Sequence, residues 1–274
     1  MRIKDFYSYR KPGRRVSMVT AYDYTMASLA AASGVDALLV GDSLAMVMHG
    51  MENTLTASVG MMSLHTAAVA RAAGGKLVIT DMPFLSFRKG VGPAMDAAEE
   101  LMKAGAQALK LEGVDGHEDV IERLTGSGIP VMGHLGLTPQ YVHGLGGYRV
   151  QGRDAAGAAQ IKRQALRLQE LGCFALVLEC VPAELAREVT GTLRVPVIGI
   201  GAGPHTDGQV LVLQDLLGLY DKAPSFVRKY MDGRAAVTAA LNAFDSEVKS
   251  GAFPGKDDHE NDKRDKELAG AARL

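Results

Sequence analysis

Cysteine, net charge and long apolar runs are all scarce in this sequence. The two cysteines, Cys173 and Cys180, flank one predicted strand. They would lie about 20 Å apart along it, which is too far for a disulfide. The formal net charge of -1 gives no general attraction to nucleic acid or to an anionic membrane. No apolar run approaches the ~20 residues that a membrane span needs. We therefore expect a cytoplasmic protein with free thiols that acts on a small molecule.

The two ends of the chain differ in composition from the middle. Met1 to Lys11 is charged and short of apolar residues, so it does not predict a signal peptide. The segment 251–274 has eleven charged residues among twenty-four, and it cannot bury enough apolar surface to stay ordered alone. Because α/β barrels commonly need ~250 residues, the length allows one large domain. We predict a single domain over 1–250 and a flexible charged tail over 251–274.

Apolar runs of strand length alternate with helical patterns along the chain. The predicted strands are 16–20, 36–40, 77–80, 107–113, 130–134, 174–179, 195–200 and 209–213. The predicted helices are 25–33, 59–73, 93–104, 118–125, 155–171, 182–190 and 225–248. Eight strands, nearly all separated by helices, are typical of right-handed βαβ units that can close into a barrel. An open doubly wound sheet is the alternative, but it would carry a glycine-rich loop at 21–24, where the sequence is Ala-Tyr-Asp-Tyr. The sequence therefore predicts a single (β/α)8 TIM barrel of the α/β class.

One predicted strand, Gln-Ala-Leu-Lys-Leu-Glu-Gly at 107–113, carries charge on one face only. Because side chains alternate along a strand, Lys110 and Glu112 point one way while Leu109 and Leu111 point the other. An edge strand with a solvated Lys–Glu pair would show the same pattern. In a parallel barrel, however, the carboxyl ends of the strands form the active site. The rest of the chain favours the barrel interpretation.

Five consecutive predicted strands end in an ionisable residue. Carboxylates that converge on one barrel mouth repel each other unless a cation neutralises them. Oxygen ligands favour a hard divalent ion, above all Mg²⁺. The five residues, in strand order, are Asp42, Asp81, Glu112, His134 and Glu179.

Other chemistries are less favoured by the spacing. His134 and His143 have no HExxH or CxxC companion, so the zinc signal is weak. Lys110 could pair with a substrate carboxylate as an ammonium or form a Schiff base as an amine. Neighbouring carboxylates keep a lysine protonated, which disfavours the Schiff base. The glycine run 199–203 does not follow the GxGxxG spacing and predicts a tight turn at the barrel mouth.

Seven longer motifs follow each other along the chain. They are Val-Gly-Asp-Ser-Leu at 40–44, Asp-Met-Pro-Phe at 81–84, Leu-Lys-Leu-Glu-Gly at 109–113, Gly-His-Leu-Gly-Leu-Thr-Pro-Gln at 133–140, Gly-Gly-Tyr-Arg-Val-Gln-Gly-Arg at 146–153, Leu-Glu-Cys-Val-Pro at 178–182 and Gly-Ile-Gly-Ala-Gly at 199–203. In this order they resemble the ketopantoate hydroxymethyltransferase (3-methyl-2-oxobutanoate hydroxymethyltransferase) family of pantothenate and coenzyme A synthesis. The resemblance extends from about Lys4 to Tyr220.

The resemblance implies an activity and an assembly. The expected reaction transfers a hydroxymethyl group from 5,10-methylenetetrahydrofolate to 3-methyl-2-oxobutanoate and gives 2-dehydropantoate. The expected cofactor is Mg²⁺, which would act as a Lewis acid on the substrate carbonyl. A (β/α)8 barrel and a homo-oligomer, in this family commonly a decamer, are also implied.

The resemblance also implies roles for individual residues. The metal ligands would be Asp42 and Asp81, with Glu112 as a third, outer or water-mediated carboxylate. Glu179 resembles the catalytic proton acceptor, which would remove the C3 proton of the substrate. The substrate-binding residues would be Asp42, Ser43, Asp81, Lys110 and His134.

The sequence departs from the family pattern in the loop after the second strand and in the helix that follows. Ala45 stands where the family usually has glycine, and Thr56 where it usually has proline. Met61 and Leu64 replace an acidic and an aromatic residue. We expect these changes to affect the rim of the pocket or the packing between subunits rather than the metal site.

Two alternatives remain open. The first is another Mg²⁺-dependent barrel that makes or breaks C–C bonds at 2-oxo acids, as in the isocitrate lyase and phosphoenolpyruvate mutase group. Such enzymes usually carry a catalytic cysteine loop or a phosphonate pocket, and neither is evident. The second is a non-catalytic barrel that binds a metal and a 2-oxo acid, but Glu179 argues against it because binding alone needs no base.

Overall fold

The sheet of the computed structural model, which describes residues 2–10 and 13–255, is a closed barrel. The parallel strands pair in chain order, and the last returns to pair with the first. This confirms the predicted (β/α)8 TIM barrel. The strands are β1 Val16–Thr20, β2 Ala37–Val40, β3 Leu77–Asp81, β4 Ala108–Glu112, β5 Val131–Gly136, β6 Ala175–Glu179, β7 Val197–Ile200 and β8 Gly208–Leu211.

Helices alternate with the strands of the barrel along the chain, and others precede the first strand and follow the last. Side chains cap several of them; for example, Asp154 accepts a hydrogen bond from the Gly157 amide at the start of α7. The helices are α1 Ile3–Phe6, α2 Tyr24–Ala32, α3 Leu44–Val47, α4 Val59–Ala72, α5 Val91–Lys103, α6 Glu118–Gly126, α7 Ala155–Glu170, α8 Ala183–Thr192, α9 Leu213–Leu216 and α10 Gly233–Ser250.

Every second residue of a strand points into the barrel. Along this face the side chains are first apolar and then, at the carboxyl end of the strand, polar. In β3, Leu77 and Ile79 belong to the buried core, and Asp81 continues the same face. In β4, Ala108 is in the core and Lys110 continues the face. Phe6 of α1 is fully buried at the other side of this core. The apolar layers therefore support the polar layer from below.

Most predicted boundaries differ from the observed ones by one or two residues, and one helix start differs by more. The helix predicted over 225–248 begins only at Gly233, because the Asp232 side chain accepts from the Ala235 amide and caps it there. The predicted strand 209–213 is shifted to Gly208–Leu211, since Gly208 pairs with Val16 of β1. The predicted loop after Asp42 contains α3 and a 3-10 turn, Thr54–Thr56.

The structure also bears on the predicted free thiols, on the predicted glycine turn and on membrane-spanning helices. Cys173 and Cys180 are free, as expected. Gly201 and Gly203 have positive φ angles of 60° and 76°, which confirms a tight turn at 199–203. Within the described part of the chain, no helix is long and apolar enough to span a membrane.

The chain divides into two compact units by its internal contacts. The first comprises 1–213 with 225–227 and contains the barrel. The second comprises 214–224 and the chain from 228 onward, and it contains α10. The single domain over 1–250 stays a prediction. Most of the predicted tail, from 256 to 274, lies outside the described residues.

Gly136 allows β5 to end against the carbonyl of Glu179. Its φ is +89°, and an added Cβ would lie 2.1 Å from the Glu179 carbonyl oxygen. We therefore expect Gly136→Ala to destabilise the fold by about 1–3 kcal/mol or more, through overpacking and backbone strain. Urea unfolding monitored by circular dichroism measures this. The matched control is Gly126→Ala, because Gly126 is helical and has open space around it. Equal midpoints for the two variants would contradict the prediction.

Candidate active site

The carboxyl ends of β3, β4 and β5 bring an acid, a lysine and a histidine into contact. Asp81 and Lys110 are register partners, and Lys110 Nζ lies 3.1 Å from Asp81 Oδ1. The same nitrogen lies 3.1 Å from His134 Nδ1 and is positioned to donate a hydrogen bond to it. All three side chains are buried. The charged face of β4 therefore points into the barrel, as the alternation predicts.

Gln140, in the loop after β5, ties three strand ends together. Its side-chain Nε2 donates to Asp42 Oδ2 at 2.8 Å and to the Met82 carbonyl at 3.0 Å. Its backbone amide donates to Glu112 Oε2 at 2.9 Å. The Asp42 amide in turn donates to Asp81 Oδ2 at 3.0 Å. These bonds hold the carboxylates of β2, β3 and β4 in one small region.

His134 connects this cluster with Glu179 at the end of β6. Because Lys110 can only donate, the His134 Nδ1 that faces it acts as acceptor, and the ring hydrogen sits on Nε2. Nε2 lies 3.2 Å from Glu179 Oε2, an electrostatic contact without hydrogen-bond alignment. If the ring were doubly protonated, Nε2 would still carry a hydrogen. In either state, His134 presents a positive edge to Glu179.

Burial and mutual repulsion shift the ionisation of the cluster. Burial and the charges of Asp81 and Glu112 raise the pKa of Asp42 well above its usual value. Burial also raises the pKa of Asp81, although Lys110 opposes this. For Lys110, burial alone would lower the pKa, but the surrounding carboxylates outweigh it and raise the pKa. The lysine is therefore an ammonium ion, and the acids are an unfavourable group of like charges.

Ser43 lies beside the acids but has its own partner. Its Oγ lies 2.7 Å from the Tyr22 hydroxyl. Gly41 allows Ser43 and Asp81 to approach each other, because a Cβ at position 41 would lie 2.9 Å from Ser43 Oγ and 3.6 Å from Asp81 Oδ2. Burial raises the pKa of Tyr22, so its hydroxyl stays protonated. Ser43 is thus held at the edge of the carboxylate pair.

Comparison with known proteins identifies the family. The family model described as ketopantoate hydroxymethyltransferase matches residues 1–256. A 3-methyl-2-oxobutanoate hydroxymethyltransferase of Bdellovibrio bacteriovorus is 52% identical over 255 residues, covering 93% of this chain and 97% of that protein. The chain belongs to the ketopantoate hydroxymethyltransferase family. It is thus an enzyme of the transferase class.

A further member of the family agrees with this assignment, and more distant structures share the fold. The protein of the same name from Coxiella burnetii is 50% identical, covering 94% of this chain and 98% of that protein. Phosphonopyruvate hydrolase, solved in a complex with oxalate and Mg²⁺, has a TM-score of 0.62 at 14% identity and covers 100% of this chain and 99% of that one. A 2,3-dimethylmalate lyase has a TM-score of 0.61 at 16% identity and covers 98% of both chains. At such low identity these two structures support only the barrel fold.

The residues present in this ketopantoate hydroxymethyltransferase family member fit a hard cation. Asp81 Oδ1 and Glu112 Oε1 are buried and accept no well-aligned hydrogen bond from the described residues. With Asp42 close by, oxygen is the only donor element of this group, which suits Mg²⁺. No group of three His, Cys, Asp or Glu side chains in 2–10 and 13–255 is arranged as a metal site. Gln140 donates to one oxygen of Asp42 and to one of Glu112, so the fit rests on Asp81 and on the second oxygens of Asp42 and Glu112. The other positions are left to water or substrate.

The structure brings together all the residues that the sequence suggested and adds others. Asp42, Asp81, Lys110, Glu112, His134 and Glu179 form one connected cluster, with Ser43 at its edge. Gln140 and Tyr22 are additions. Gln140 is the last residue of the motif 133–140, and this position is the sequence signal that points to it. Tyr22 lies two residues after the end of β1 and is not ionised, so the pattern of ionisable residues at strand ends does not include it.

Proposed function

We propose that this chain transfers the one-carbon unit of 5,10-methylenetetrahydrofolate to C3 of 3-methyl-2-oxobutanoate, forming 2-dehydropantoate and tetrahydrofolate. The observation that carries the proposal is the position of Glu179. Its side chain is 17% exposed, whereas those of Asp81, Lys110, Glu112 and His134 are at most 5% exposed. A carboxylate at the open end of a buried charged cluster is accessible to a substrate that sits on that cluster.

The buried residues of the cluster would bind the substrate. We assign the oxygens of the 2-oxo acid to Lys110, whose ammonium can pair with them. Ser43 and Asp42, which follow β2, would complete the contacts. Asp42 and Asp81 would hold Mg²⁺, which when bound supplies Lewis-acid polarisation of the 2-oxo group.

Proton transfer falls to Glu179. As general base it removes the C3 proton, and the carbonyl oxygen gains negative charge as the enolate forms. Lys110 stabilises that charge through its fixed ammonium group. His134 Nε2 lies 3.2 Å from Glu179 Oε2, and its positive edge attracts the carboxylate electrostatically. The enolate carbon then attacks the one-carbon unit, both bonds from that carbon to the folate nitrogens break, and water supplies the hydroxyl oxygen as tetrahydrofolate leaves. No covalent enzyme intermediate is needed.

A product assay tests this proposal directly. The enzyme is incubated with 3-methyl-2-oxobutanoate, Mg²⁺ and 5,10-methylenetetrahydrofolate, and 2-dehydropantoate is measured by mass spectrometry. Omitting the folate and using D₂O should give exchange of the C3 proton without product. Lyase or mutase products in place of 2-dehydropantoate would favour the first alternative, and binding without exchange or product would favour a non-catalytic barrel.

Lys110 gives a separate prediction. Lys110→Met should weaken binding of 3-methyl-2-oxobutanoate by about 1.5–3 kcal/mol, the scale of a charge-assisted hydrogen bond, while Lys110→Arg should retain part of it. Calorimetric titration of the 2-oxo acid measures the effect. Lys103→Met is the matched control, because Lys103 is exposed and its ion-pair partner among the described residues is Glu99. Borohydride should trap no adduct; a reduced lysine conjugate would instead indicate Schiff-base chemistry.

The remaining expectations from the resemblance stay proposals. The decamer and the cytoplasmic location are consistent with family membership, and a small-molecule 2-oxo acid and a folate are the expected partners. Size-exclusion chromatography with light scattering measures the assembly.

A further inference from the structure

A cavity of about 260 Å³ lies beside the active-site cluster, at the ends of β4 and β5. Gly113 and Gly136 form part of its wall, and Gly113 directly follows Glu112 in the chain. A further part of the wall is one face of α7, as the spacing i, i+3, i+4, i+7 shows. The residues on that face are Gly157, Gln160, Ile161 and Gln164.

Arg88 brings a fixed positive charge to this cavity. Its guanidinium lies 4.9 Å from the centre of the Tyr141 ring and 5.1 Å from that of Phe87. Nη2 donates to the Glu112 carbonyl oxygen at 2.9 Å, and the other N–H groups have no hydrogen-bond or ion-pair partner among the described residues. Stacking therefore holds a guanidinium with unused donors beside the site.

The same wall also carries groups that can accept hydrogen bonds. Asp115 is exposed, and its Oδ2 accepts from Gln164 Nε2 at 2.6 Å, while Oδ1 has no hydrogen-bond donor among the residues that the structure describes. The side-chain amide of Gln160 is exposed on the same face of α7. Leu135 and Ile161 add buried apolar surface. The lining therefore suits a flat ring with an amide-like edge.

The proposed reaction needs a second substrate near the first. The names of the relatives describe transfer of a hydroxymethyl group, so a carrier must present that carbon next to the 2-oxo acid. Pockets for drug-sized ligands are about 300–1,000 Å³. The present cavity is slightly smaller, so it can take a bicyclic ring but not a whole folate.

We infer that this cavity binds the pterin ring of the one-carbon carrier. Asp115 accepts hydrogen bonds from the amino group and ring N–H of the pterin, and Arg88 donates to its carbonyl oxygen. The rest of the carrier extends beyond the cavity. This inference rests on the proposed function and adds to it the residues that hold the carrier.

Two variants with matched controls test the cavity. Asp115→Asn removes the charged acceptor, and Gln160→Phe fills the space. Asp119→Asn and Ala159→Phe are controls at exposed positions outside the lining. Tetrahydrofolate is titrated by calorimetry into each protein, and KM for 5,10-methylenetetrahydrofolate is measured at saturating 2-oxo acid.

We expect both cavity variants to weaken tetrahydrofolate binding and to raise KM by about 10- to 100-fold, the scale of a lost charge-assisted hydrogen bond. The folate-independent deuterium exchange should change far less than that KM, and the controls should behave as the wild type does. Unchanged binding and KM in both variants would overturn the cavity assignment while the proposed function stands. A wild type that exchanges deuterium but neither binds tetrahydrofolate nor uses its methylene derivative would overturn both.

Discussion

Glu179→Gln should lower turnover by ~10²–10⁴-fold while 3-methyl-2-oxobutanoate still binds. The amide keeps the shape of the side chain and can still lie against His134 Nε2, but it cannot take up the C3 proton. Steady-state rates and calorimetric titration of the 2-oxo acid measure the two effects separately. Loss of rate without loss of binding is expected only of a group that acts on the reacting atoms.

Deuterium exchange makes this prediction sharper. In D₂O without folate, the wild type should exchange the C3 proton, and Glu179→Gln should lose exchange and turnover together. Glu184→Gln is the matched control, because Glu184 is exposed on α8 and pairs with Arg187. If the variant exchanged at the wild-type rate yet made no product, Glu179 would act after the enolate, and another group would be the base.

Asp42→Ala should abolish Mg²⁺-dependent activity and leave the barrel folded. Burial, together with the neighbouring like charges, already raises the pKa of this carboxylate, so its loss relieves repulsion while it deletes a metal ligand. Asp81→Ala should abolish the same activity, but it should also cost stability because Lys110 loses its ion pair.

Mg²⁺ titration by calorimetry checks both variants, with thermal melting as the measure of folding. Asp96→Ala serves as the control, because Asp96 is exposed on α5. Wild-type Mg²⁺ affinity in both Asp42→Ala and Asp81→Ala would exclude them as ligands and would move the metal site elsewhere.

The barrel fold and the convergence of the ionisable residues at its mouth could be predicted from the sequence. Strand alternation is local, so the inward direction of Lys110 and Glu112 followed from the stretch 107–113 alone. Parallel strands place all their carboxyl ends at one mouth, which explains why residues as far apart as Asp42 and Glu179 meet.

What could not be predicted depends on contacts between distant parts of the chain. Gln140 lies 98 residues from Asp42, and no periodicity indicates that its amide would reach that carboxylate. The stacking of Arg88 on Tyr141 likewise joins two loops that follow different strands. The start of α10 was placed too early because the capping by Asp232 outweighs the helical pattern that precedes it.

The hydrogen bonds of Gln140 also bear on which ion the site can accept. Mg²⁺ needs oxygen distances of about 2.0–2.1 Å, whereas Ca²⁺ needs about 2.3–2.6 Å and more ligands. Both hydrogens of the Gln140 amide are committed, one to Asp42 and one to the Met82 carbonyl next to Asp81. A larger ion would have to push the strand ends apart and break these bonds. Discrimination by ionic radius would then reside in an uncharged side chain that never touches the ion.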